Sequence, residues 1–248
     1  MSKKTDSNVY TIIFAIAMVI VVGGLLAFTA SALRPRIDNN ERLEKQQNIL
    51  YAMGVNANDE SSAVFVSTAE APELFSKYIS KQLVIQGDKV SEDENAYLID
   101  VKKEQASAKA GNQRRLPLFV GEKDGKTFYI APIRGKGLWD AIWAYIAMDK
   151  DMVVQGAYFD HKGETAGLGA NIKQRYFMDD FIGESLMNSG EFKGITVAKG
   201  NNDPKNENKG DNKVDAIAGA TITGDGVSAM LKSELKQYVP YFENLKNN

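Results

Sequence analysis

The chain has 248 residues, 44% of them apolar and 25% charged, with a net charge of −2, no cysteine and a single histidine, His161. That balance offers no basic face for nucleic acid. The missing cysteines exclude disulfides, thiolate nucleophiles and cysteine-held metal clusters, and one histidine excludes multi-histidine metal sites.

Residues 10–33, YTIIFAIAMVIVVGGLLAFTASAL, carry no charge. As a helix they cover about 36 Å, enough to cross a hydrocarbon core of about 30 Å. A cleaved leader is the alternative, with Lys3-Lys4 as its basic start and Ala30-Ser31-Ala32 resembling a cleavage site. The apolar run exceeds the usual leader core, so a retained anchor is expected. The short tail, residues 1–9, points to a cytoplasmic start with the body outside. Lys3 and Lys4 are nearly balanced by Arg34 and Arg36, so the positive-inside count adds little.

Residues 34–248 form the expected globular part. After Pro35 a helix is predicted, capped by Asp38 or Asn39, lying on the domain along a thin apolar stripe and stopping at Gly54. Strands are predicted at 81–85, 127–133, 152–159, 194–198 and 214–217, and helices at 137–148 and 226–238. Val227, Met230, Leu231 and Leu235 line one face of the last helix. The polar stretches 103–115 and 199–213 read as surface loops, the second as a flexible one. Strands and helices mix without a regular βαβ alternation, which gives an α+β class.

GDGVSA (224–229) has a dinucleotide-like spacing, but the chain stops before the second strand and acidic residue that such a unit needs. What remains is a helix start preceded by small residues, a general cradle for phosphate. In DAIAGATITG (215–224), Gly219 and Ala220 would let a ligand approach the backbone, and Thr221 would offer a hydroxyl there. A buried strand turning into a helix capped by Thr223 or Asp225 is the purely structural alternative.

Asp215 to Thr221, D-x-x-x-G-A-T, resembles the flavinylation motif of the FMN-binding domain family. GKGLWD (135–140) and ETAGLGA (164–170) are similar to two further blocks of that family, in the same order. Two positions depart from its pattern: Ala218 stands where Ser or Thr is usual, and Ala166 where Pro is usual. The resemblance implies a single mixed FMN-binding domain behind one membrane helix. It also implies FMN joined by its phosphate to Thr221, attached by a separate magnesium-dependent flavin transferase that uses FAD and reads Asp215. By the same resemblance Gly219, Ala220 and Thr223 surround the phosphate and ribityl chain. Glu164, Thr165, Leu168 and Gly169 form a loop beside the ring, and Leu138 and Trp139 wall it. Trp139 and Trp143 also sit at helical spacing, which leaves a core role open for Trp139, and Glu164 could equally be a plain loop carboxylate. His161 is expected to be an ordinary loop residue. No catalytic residue and no metal site are expected.

The function implied is that of an electron-carrying subunit of a Na+-translocating NADH:quinone oxidoreductase in the bacterial inner membrane, working beside its other subunits and without turnover alone. The corresponding G subunit of an Rnf complex and an anchored binding module without cofactor are the alternatives.

Overall fold

The computed structural model describes residues 7–59, 62–201 and 203–247. The basic pair Lys3-Lys4 and most of the predicted tail lie outside them. The chain divides into two compact units, residues 1–42 and 43–248. The first consists of most of helix α1 (Asn8–Ala52), whose most apolar stretch has a mean hydropathy of 2.8 and is nowhere buried, so it is long and apolar enough to cross a membrane. The helix runs through Pro35, and no separate start forms at Asp38 or Asn39.

In the second unit the end of α1 is more than a thin stripe, since Gln46 and Asn48–Ala52 are all buried. Val55 N–H bonds to Leu50 O at 2.9 Å and Gly54 N–H to Tyr51 O at 2.9 Å, with Gly54 at φ 77°. This Schellman closure needs a residue that tolerates the left-handed region, which is the predicted role of Gly54.

The core of the unit is a six-stranded sheet in the order β2-β1-β3-β4-β5-β6, antiparallel throughout. Its strands are β1 (Ile79–Gln86), β2 (Lys89–Glu92), β3 (Leu116–Lys123), β4 (Lys126–Lys136), β5 (Ala141–Met148) and β6 (Val154–His161). Asp124 and Gly125, at φ 52° and 74°, make the tight turn between β3 and β4. Helix α2 (Ala71–Tyr78) precedes the sheet, the short α4 (Arg175–Asp179) packs on β6, and α5 (Thr221–Leu235) packs on β4 with Val227, Met230, Leu231 and Leu235 buried, as their spacing predicts.

Two predicted elements are corrected. The stretch 137–148 is a turn followed by β5, not a helix. β5 is buried at every position but Trp143, and a strand covered on both faces shows an unbroken apolar run that periodicity cannot tell from a helix. The stretch 103–115 is mostly α3 (Val101–Lys109), not a loop; Asp100 caps it through Lys102 N–H and Lys103 N–H, and its good helix formers outweigh its thin apolar content. Strand pairing at 194–198 and 214–217 shrinks to two short strands, Thr196–Val197 and Lys213–Val214, side by side in parallel. Among the described residues, segment 199–213 is nearly free of regular structure, yet it is not all solvated. Asn206 and Asn212 are buried, and Asn212 Nδ2 donates to Ser185 O at 2.6 Å.

The end of α1 rests against β6 with no space between them. A methyl group on Gly156 would stand 2.2 Å from the Ala52 carbonyl oxygen. Gly156→Ala is therefore expected to cost about 2–3 kcal/mol in urea unfolding followed by circular dichroism, because backbone on both sides must move.

Candidate functional site

Three loops meet at the start of α5. The first is the turn 137–140 between β4 and β5, closed by Gly137 N–H to Asp140 O at 2.8 Å. The second follows β6. His161 Nδ1 accepts from Glu164 N–H at 3.2 Å, so the one histidine orders the loop from the strand end rather than facing the cleft. Thr165 O then accepts from Leu168 N–H and Ala170 N–H, both at 3.1 Å, around Gly167 at φ 75°.

The third is the GAT turn. Ala220 N–H bonds to Ile217 O at 3.0 Å, and Gly219 takes φ 70°, as the third residue of a type II turn requires. A side chain at 219 would also meet Leu168 Cδ2 at 2.8 Å. Two reasons thus fix glycine there. Thr221 is the first residue of α5, and no side chain caps the helix. The first N–H groups of a helix have no carbonyl of their own turn to bond, so this end presents free donors and the positive end of the dipole. Thr221 is exposed, and its hydroxyl has no partner among the hydrogen bonds of the described residues.

Glu164 ties the three loops together. Its carboxylate accepts from Trp139 N–H at 2.9 Å, Leu138 N–H at 3.3 Å and the Thr223 hydroxyl at 2.6 Å, while only 7% of its surface is exposed. Burial opposes its ionisation. The bonds from Thr223, Trp139, Asp140 and Leu138 outweigh that effect and hold its pKa below the ordinary carboxylate value. Methyl groups at Gly137 and Gly169 would each approach a Glu164 oxygen to 2.6 Å, so both glycines make room for this clamp.

The result is an open cleft of about 240 Å³. Glu164, Thr165, Leu168 and Gly169 line one side, Gly219, Ala220, Thr221 and Thr223 the other, and Leu138 closes an end. Nine of the eleven predicted positions thus share one cavity. Trp139 does not line it. It is 67% exposed at the rim, where its Nε1–H donates to Thr165 Oγ1 at 3.1 Å, so it is not core. Asp215 lies apart as well, in a smaller hollow with Tyr176, Asp180 and Asn201, where burial and then the Asp215 charge raise the Asp180 pKa. Ile222 was missed: it lines the cleft and is 58% exposed, a placement that nothing around it in the sequence signals. Ala218 is exposed and outside the lining, so the hydroxyl usual at that position takes nothing from the cleft by its absence. No lysine or arginine lines the cleft.

All three loops of the cleft lie within residues 137–236, which match the profile of the FMN-binding domain family. The C subunit of the Na(+)-translocating NADH-quinone reductase of Vibrio anguillarum is 30% identical over 243 residues, spanning 92% of this chain and 90% of the relative. That of Pseudomonas aeruginosa is 30% identical over 237 residues, with 91% and 90% covered. The crystal structure of the same subunit from Parabacteroides distasonis superposes with a TM-score of 0.71 at 35% identity, covering 85% of this chain and 96% of that one. NqrC from Shewanella oneidensis gives a TM-score of 0.65 at 26% identity, covering 84% and 99%. The chain belongs to the NqrC family, the C subunits of Na(+)-translocating NADH-quinone reductases.

Proposed function

We propose that the chain is the electron-carrying subunit of a membrane-bound Na+-translocating NADH:quinone reductase, with FMN held in this cleft by a phosphoester bond to Thr221. The observation that carries the reading is the Thr221 hydroxyl, exposed and unpartnered at the start of α5 above the turn 217–220. The residues fit the group: Gly219 leaves the phosphate side free of a Cβ, and the helix N–H groups and dipole offset its charge where no basic side chain does. Bound FMN supplies reversible acceptance and release of electrons.

The chain's own residues hold and orient. Glu164 and Thr223 fix the floor, Leu138, Leu168 and Ile222 give apolar contact, and Trp139 with Thr165 forms the rim. The cleft is smaller than the roughly 300–1,000 Å³ of sites that enclose a ligand, so the ring stays partly open to neighbours. That suits a relay among subunits of one complex. A flavin transferase, reading Asp215, passes the FMN moiety of FAD to the Thr221 oxygen; AMP leaves and the hydroxyl loses its proton. Residues 10–33 anchor the protein, with the domain on the outer face of the bacterial inner membrane. Nothing in the cleft suits a nicotinamide, and no NADH turnover is expected of the isolated chain.

The test is the intact mass of protein purified from its own host. The reading requires the polypeptide plus one FMN moiety, and the bare polypeptide mass would end it.

A further inference from the structure

Strand β1 starts at Ile79, but β2 pairs with it only from Leu83 onward, where Leu83 faces Glu92. Asp93 N–H closes the pairing on Gln82 O at 2.9 Å, and the chain then turns into the short helix Ala96–Leu98. Beside residues 79–82, where β2 falls short, a cavity of about 650 Å³ opens. None of its lining residues belongs to the flavin cleft.

Two features of this wall call for a ligand. Gln46, at the buried end of α1, lines the cavity and is only 8% exposed, yet its side-chain oxygen has no hydrogen-bond partner among the described residues. The side-chain oxygen of Gln82, in the same wall, has none either. Folded proteins leave few buried acceptors unmet. The second feature is charge. Glu92, Asp93 and Glu94 stand against Lys81 alone, three carboxylates to one ammonium, which leaves the lining at −2. Lys81 is already engaged with Glu92 at 3.6 Å.

Among the described residues no three acidic side chains are placed to hold a metal ion, so the complement to this wall is a cation whose charge is spread over N–H donors. Guanidinium is such a group. It carries five donors and no acceptor, is less strongly hydrated than an ammonium and stacks on aromatic faces. Phe75 and Tyr97, edge to face with centroids 6.0 Å apart, bring rings to the same wall. We propose that the cavity receives an arginine side chain from a neighbouring subunit. Glu92, Asp93 and Glu94 are all exposed, and three consecutive acids give a basic protein surface more to meet than a small amine could use. The binding chemistry is independent of the flavin, while the source of the arginine rests on the proposed place of the chain among subunits of one complex.

The experiment takes the full chain in detergent at low salt, with N-acetyl-arginine amide as the probe and its uncharged isostere, N-acetyl-citrulline amide, as the control. The probe at about ten times its half-saturating concentration should raise Tm by roughly 3 °C or more; the control should not, and added salt should weaken the response. Gln46→Leu should abolish the response and leave the unliganded chain at least as stable, because the unmet acceptor is gone. Glu94→Gln, at an exposed position, should raise the half-saturating concentration several-fold, and it carries the test where Gln46→Leu fails to fold. In the purified complex, p-benzoylphenylalanine at position 94 should cross-link under ultraviolet light to one other subunit, beside an arginine whose change to Gln abolishes the cross-link. No shift with the arginine probe, equal shifts with both probes, or a response that survives both variants would overturn the site. A cross-link that is absent, or indifferent to any arginine, would overturn the neighbouring subunit as its source. Neither result bears on the covalent flavin, which the intact mass reads separately.

Discussion

Thr221→Ala is expected to yield a protein that folds as before and carries no covalent flavin. The side chain is exposed, makes no hydrogen bond and caps nothing, so its removal touches no packing and should change stability by less than about 0.5 kcal/mol. Every other lining residue stays in place. Under the proposed attachment, the only nucleophilic oxygen available to the transferase at the helix start is gone. Made beside an active transferase, the parent chain should fluoresce in a denaturing gel under ultraviolet light and carry the mass of one FMN moiety. The variant should show neither. The circular dichroism of the two should coincide. A variant that still carries the added mass would move the attachment to another residue, Thr165 and Thr223 being the other hydroxyls that line the cleft. Thr223, however, is 1% exposed and committed to Glu164, so it is a poor second acceptor.

Glu164→Ala should act in the opposite way, through the fold. Its loss leaves the Thr223 hydroxyl and the N–H groups of the 137–140 turn without an acceptor in a largely buried place. Bonds to a charged group and the cost of orphaned donors together put the loss at about 2–4 kcal/mol. For a domain of this size that is a fall in Tm of roughly 5–15 °C. Glu164→Gln should recover more than half. One amide oxygen can serve Trp139, and the Thr223 hydroxyl can rotate to accept from the NH2. The pH dependence follows from the direction of the shift. The folded-state pKa lies below the ordinary 4.5. The stabilisation is therefore whole above pH 4.5 and is lost as the pH falls through the folded-state value. Acid unfolding of the parent chain should begin at lower pH than that of Glu164→Ala, and equal midpoints would show that the carboxylate is not the clamp.

Legibility in the sequence followed the physics of each signal. The apolar helix, the α5 face and the Gly54 stop were readable because each rests on local spacing or on one residue's backbone freedom. β5 was not, because a strand covered from both sides loses the alternation that marks strands. α3 hid for the opposite reason, being a helix with too little apolar surface to show a period. In the site, the motif blocks brought nine positions to one cavity. What local pattern could not give was the work of Glu164, whose partners Trp139 and Thr223 lie 25 and 59 residues away along the chain. Ile222 escaped since neither its spacing nor its motif singles it out, only its solvent exposure.

The cleft's want of lysine and arginine has a kinetic meaning. It offers no long-range field to draw in a dianion and no screened ion pairs to hold one, so an unattached dye would arrive slowly and leave soon. Under the proposed attachment, a flavin fixed through the Thr221 oxygen and met there only by backbone amides would be held equally at low and high ionic strength.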